Sequence, residues 1–240
     1  MKVKLSWMFL GVISLSLLGC HMTNPTLREK AYQAKRQGNI PRAVELYNKA
    51  LSQNPADWRA LERLADIRFG QQNWMDAQHG YEYVISLRPD STRVSRWLDQ
   101  VAQCLFEQGR SGALRDMLRN ANEQYGNSVD FLRQANYLTK LGDVDQAKVA
   151  YQKATHFAPE GDAEPYIAMA AFYELIGDKG NAISQLRLAH SIAPENTSIA
   201  DRLRHYGIVP GPTAGIKPIV AVPPLPEVEN VVTETQPVGQ

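Results

Sequence analysis

The chain has 240 residues, 44% hydrophobic and 21% charged, with a formal net charge of +1. This is the composition of a folded protein. With no basic run longer than a pair and no acidic tail, it argues against a nucleic-acid binder held by bulk charge. The five histidines, His21, His79, His156, His190 and His205, stand one at a time without paired ligand spacing, so no metal or other cofactor is expected. No glycine-rich loop follows a strand and no serine elbow is present, so no catalytic residues are assigned and the chain is not read as an enzyme.

Taken from the start, Lys2 and Lys4 precede an apolar run from Leu5 to Leu18 that closes on Leu17-Leu18-Gly19-Cys20. The run is too short for a spanning helix and suits a secretory signal, which makes 1–19 a signal peptide. The closing tetrapeptide resembles the lipobox of bacterial lipoproteins. That resemblance implies cleavage after Gly19, a covalent lipid on Cys20, and a place in the cell envelope, lipid-anchored at the outer membrane and facing the periplasm. The tether over 20–26 reaches at most ~20 Å beyond the anchor.

The next stretch repeats one spacing. Gly142 is followed by Ala147, Tyr151, Ala154 and Pro159, and Gly177 by Ala182, Leu186, Ala189 and Pro194 at the same offsets. Gly38, Ala43, Tyr47, Ala50 and Pro55 form another copy, as do Gln72, Ala77, Tyr81, Val84 and Pro89. A weaker copy has Gly109, Leu114, Leu118, Ala121 and then Gly126 in place of proline. Seven residues before each turn stands a further small residue: Ala31, Ala65, Ala102, Ala135 and Ala170.

Small residues at these places let two helices approach closely, and proline ends the second helix of each pair. The pattern resembles the tetratricopeptide repeat, whose period is about 34 residues. The resemblance implies an all-α, right-handed superhelical solenoid over 27–206, with about five repeats and a capping helix at Thr197 to Tyr206. The period slips at Ser91 to Val94 and near Gly161-Asp162, and the third copy is the expected weak point. Cys104 takes a small-residue place in that copy and is read as a buried, inert thiol. Seven of the fourteen prolines fall between Pro210 and Pro237, so 207–240 is expected to be a disordered, proline-rich tail.

In tetratricopeptide domains the first helix of each repeat lines a concave groove. Carried onto this chain, the resemblance puts Arg59, Glu62, Asp66 and Phe69 on the wall in repeat two, and Arg96, Asp99 and Phe106 in repeat three. Phe69 and Phe106 are expected as anchors for a protein partner, with Arg59, Asp66, Arg96 and Asp99 orienting it. An alternative stays open: the two phenylalanines belong to the helix core, and Arg59, Glu62 and Asp66 pair along a solvated face. The carboxylate clamp of chaperone-binding members is not reproduced, because Leu132 stands at the fifth position where Asn136 holds the ninth.

Lipobox and repeats together resemble the tetratricopeptide lipoproteins of tight-adherence (Flp-type) pilus assembly and the type IV pilus pilotins. The implied function is a membrane-anchored interaction scaffold in an envelope assembly, with a protein partner in the groove, the membrane at Cys20, and no nucleic acid. The other reading is a non-catalytic subunit or regulator of an envelope-polymer enzyme. The sequence leaves the oligomeric state open.

Overall fold

The computed structural model describes residues 26–216. The expected signal peptide, Cys20 and the chain beyond 216 lie outside the described residues. Within them there are eleven helices and no strand: α1 (Leu27–Arg36), α2 (Ile40–Gln53), α3 (Trp58–Gly70), α4 (Trp74–Leu87), α5 (Val94–Glu107), α6 (Ser111–Gln124), α7 (Ser128–Lys140), α8 (Val144–His156), α9 (Glu164–Leu175), α10 (Lys179–Ile192) and α11 (Thr197–His205).

Local chemistry sets most of the helix starts. Thr26, Asn39, Asp57, Asn73, Asn127, Asp178 and Asn196 each accept a hydrogen bond from an amide in the first turn of the helix that follows, where the backbone has no partner of its own. Pro41 and Pro165 fall in first turns, where a missing N–H costs little. The turns inside the repeats need a left-handed residue. Gly142 and Gly177 supply it at φ of 76° and 79°, and Gln72 is held at 59° in the same role.

The small residues do what their spacing implies. Ala31 and Ala43, Ala65 and Ala77, Ala135 and Ala147, and Ala170 and Ala182 are buried where α1 meets α2, α3 meets α4, α7 meets α8, and α9 meets α10. Gly80 tightens the α3–α4 crossing further, since a Cβ there would lie 2.8 Å from the Ala65 Cβ. Tyr47, Tyr81 and Tyr151 are buried in their repeats and fill the space beside the alanines.

The helices divide into two compact units, one running to Gln108 and the other from Gly109. The first unit comprises α1 to α5 and the second α6 to α11. The division falls in the turn of the third copy, where the sequence pattern is weakest. Leu114 stands in this copy where the other repeats have alanine, and Leu118 where Tyr47, Tyr81 and Tyr151 stand in three of them; both are fully buried in the second unit.

In the second unit, Asp130 and Arg133 form an ion pair of 2.6 Å with both side chains 2% exposed. Ser128 fastens the start of α7 to the end of α8 by donating to the Ala154 carbonyl at 2.8 Å. The final helix buries Ile199, Ala200 and Leu203, while Arg202 pairs with Glu174 of α9 at 2.9 Å.

One expected boundary moves. The tail was expected to be disordered from residue 207, but residues 208–216 pack along α10. Arg187 Nε donates to the Ala214 carbonyl at 2.7 Å, the Ile216 amide donates to the Arg187 carbonyl at 3.2 Å, and Ser191 Oγ donates to the Ile216 carbonyl at 2.8 Å. Ala214 is buried, and Gly215 comes so close that a Cβ would sit 3.0 Å from the Ser191 Cβ. Proline content hid this, because the segment is held by bonds from α10 and not by a periodicity of its own.

Candidate protein-binding face

The first helices of the first unit, α1, α3 and α5, are tied side to side by charged and aromatic residues. Arg28 of α1 pairs with Asp57, the cap of α3, at 2.9 Å. The Arg63 guanidinium of α3 lies 6.0 Å from the Tyr32 ring of α1.

Between α3 and α5 the link is a network around Glu62, whose side chain is 1% exposed. Glu62 Oε2 accepts from Arg93 at 2.8 Å. Its Oε1 accepts from Trp97 Nε1 at 2.9 Å and from Arg96 at 3.2 Å. A buried carboxylate is costly unless paired and hydrogen-bonded, and here both oxygens are satisfied. Arg96 reaches on to Asp66 Oδ1 at 2.9 Å, and Arg63 approaches the other oxygen of Asp66 at 3.5 Å.

The repeat tyrosines bond back to the first helix of their own repeats. Tyr81 donates to Asp66 at 2.8 Å and, in the second unit, Tyr151 donates to Asn136 at 2.7 Å, each across a separation of fifteen residues. The first repeat has Tyr32 at the matching place, and the buried hydroxyl of Tyr47 has no partner. Burial pushes the Tyr81 hydroxyl well above its ordinary pKa, and the neighbouring Asp66 charge adds to the shift. Burial also raises Tyr47, with the Arg63 charge opposing it.

A second cluster surrounds the half-buried Trp58. Its ring lies edge-on to Trp97 at 6.1 Å, and three guanidiniums crowd it: Arg59 at 4.4 Å, Arg88 at 5.2 Å and Arg93 at 5.7 Å.

Of the residues expected to bind a partner, Asp66 and Arg96 are brought into direct contact, and both are spent in part on joining α3 to α5. Phe69 is half-buried, edge-on to Trp74 at 5.2 Å and to Tyr81 at 6.4 Å, so it supports the hairpin as well as the face. Arg59 belongs to the Trp58 cluster. On α5, Asp99 is exposed and Phe106 half-buried. Sequence reasoning missed Trp58, Arg93 and Trp97. Their signal was present, because Arg93, Arg96 and Trp97 follow Glu62 by 31, 34 and 35 residues, close to one repeat period.

Among the described residues no group of side chains is arranged to hold a metal ion, and no helix is long and apolar enough to cross a membrane. Cys104 is buried, and desolvation pushes its thiol up to about 11, so it has no nucleophilic character at neutral pH.

Family models described as tetratricopeptide repeat match residues 25–67 and 131–160. The two matched segments carry tetratricopeptide repeats, and the described residues form an all-helical, tetratricopeptide-like fold. No curated protein matches its sequence. Solved structures of similar fold include YrrB, described as "a TPR protein with an unusual peptide-binding site", at 16% identity and a TM-score of 0.50 over 74% of this chain and 90% of that one. MamA is similar at 18% identity and 0.53, covering 70% of this chain and 96% of that one. The segment of MamA from residue 41 onward of Desulfovibrio magneticus RS-1 is similar at 12% and 0.53, covering 71% and 94%. At these identities the likeness is one of fold.

Proposed function

We propose that the protein is a lipid-anchored interaction scaffold of a bacterial envelope assembly, such as pilus or secretion machinery. In this reading Cys20 carries the lipid, the outer membrane holds the chain facing the periplasm, and the α1–α3–α5 face receives a segment of a protein partner. Tetratricopeptide proteins generally mediate protein–protein interactions, and their fold is typically a non-catalytic scaffold.

The observation that carries the reading is the Glu62 network. It joins α3 to α5 through Glu62, Arg93, Arg96 and Trp97, so the two helices that carry Arg59, Asp99 and Phe106 are held in place before a partner arrives. The lipid anchor rests on the charge, length and cysteine placement of residues 1–20.

Two measurements test this. Full-length protein in detergent, used as bait against envelope extract, should capture a partner that the Phe106→Ala variant captures at least about tenfold more weakly at an unchanged melting temperature. Lost melting temperature with no partner captured by the parent rejects the face. Cys20→Ala should abolish palmitate labelling, and a labelled variant rejects the anchor.

A further inference from the structure

The Trp58 cluster holds more positive charge than the fold uses. Six guanidiniums, Arg28, Arg59, Arg63, Arg88, Arg93 and Arg96, stand on or beside the α3 face, and the carboxylates they pair with are Asp57, Glu62 and Asp66. Four of the arginines are accounted for. Arg28 neutralises Asp57, Arg93 and Arg96 serve Glu62, and Arg96 and Arg63 serve Asp66. Arg59 and Arg88 contact only the Trp58 ring, with no carboxylate partner among the described residues. Cation–π contact at the half-buried ring offsets only part of the repulsion among three like charges around one indole.

We infer that Trp58, Arg59 and Arg88 form the recognition point for an acidic protein segment, whose carboxylates pair with the two guanidiniums while an adjacent apolar side chain covers the indole. This rests on the reading of the α1–α3–α5 face as a protein-binding surface and gives the partner its chemistry. Guanidiniums spread by an aromatic plate present fork-shaped donor pairs at fixed positions, which suits carboxylates. With Arg28, Arg63, Arg93 and Arg96 paired to Asp57, Glu62 and Asp66, only Arg59 and Arg88 are left over. Two guanidiniums suit two carboxylates of a protein segment, whereas a phosphate backbone draws its affinity from many such contacts.

The test uses the full chain in detergent and fluorescence anisotropy of labelled dodecapeptides repeating Glu-Leu-Ser, Gln-Leu-Ser or Lys-Leu-Ser, with an oligothymidylate of equal length. The acidic peptide should bind tightest and weaken steeply with added salt. Arg59→Gln and Arg88→Gln, separately and together, should weaken it, the pair by about tenfold, at an unchanged melting temperature. The charge-matched control, Arg42→Gln with Arg204→Gln, should leave it intact, because those arginines pair locally with Glu45 and Asp201 on α2 and α11.

Equal binding of the peptides, undiminished binding by the Arg59 and Arg88 variants, or tighter binding of the oligothymidylate at the same residues each overturns the inference. If the envelope partner is still captured in any of those cases, only its acidic character is wrong. If capture also fails, the binding face itself is wrong.

Discussion

Tyr81 donates its hydroxyl hydrogen to Asp66, fifteen residues earlier on the facing helix, while Tyr47 at the same repeat position has no acceptor because Tyr32 occupies the place of the aspartate. Two buried tyrosines with one packing role therefore carry hydroxyls of opposite worth. Tyr81→Phe removes a bond to a carboxylate and should cost about 1.5–3 kcal/mol. Tyr47→Phe removes an unsatisfied polar atom and should be neutral or stabilising by up to about 1 kcal/mol. Chemical denaturation of the two variants checks the contrast, and equal losses would contradict it.

Glu62 is the most exposed to test of the charged residues, because three donors converge on it in a buried place. Truncation to alanine leaves Trp97 Nε1 without its acceptor and Arg93 without its charge partner, and should cost about 3–5 kcal/mol. Glu62→Gln keeps the shape and one acceptor and should cost less. A loss below about 1 kcal/mol for Glu62→Ala would show that the network is not what joins α3 to α5.

Gln72 is held at a φ of 59° where the other strong copies have glycine. Gln72→Gly should raise stability by about 0.5–1 kcal/mol, the left-handed strain it relieves exceeding the added freedom of the unfolded chain. A lower melting temperature for the variant would mean that the glutamine side chain contributes more than its backbone costs.

Cys104 gives a pH-dependent prediction. Its folded thiol ionises at about 11, above its ordinary value of 9.0, so between those values the native chain keeps a proton that the unfolded chain releases. Stability from this group is whole below about pH 8 and falls by about 1 kcal/mol per pH unit as pH rises through that window. The difference between Cys20→Ala and Cys20→Ala/Cys104→Ala chains isolates the effect from the tyrosines. In the single variant, a disulfide reagent at pH 8 should label Cys104 only after denaturation, and prompt labelling of the native chain would refute its burial.

The repeats were legible because they are written in steric terms that survive in one dimension. Ala65 and Ala77 must be small where two helices touch, Gly142 must turn left-handed, and Pro159 must end a helix. The face was less legible. Glu62 and Asp66 read as neighbours on a solvated helix, whereas their partners come from the next repeat. Only the stacking of α5 on α3 makes Glu62 a buried acceptor. Trp58 escaped notice because an aromatic at a helix start carries no signature until Arg88, thirty residues later, is folded beside it. The packed segment at 208–216 was hidden for the same reason, as its partners belong to another element.

The seam between Gln108 and Gly109 has a consequence for anyone cutting this gene. Repeat numbering invites a fragment ending near Ser128, after the third copy, but that cut would carry α6 away from α7, against which it packs. A fragment ending at Gln108 keeps Glu62 with Arg93, Arg96 and Trp97, and Trp58 with its three arginines. The module that recurs along the sequence is thus offset by half a repeat from the module in which its contacts close.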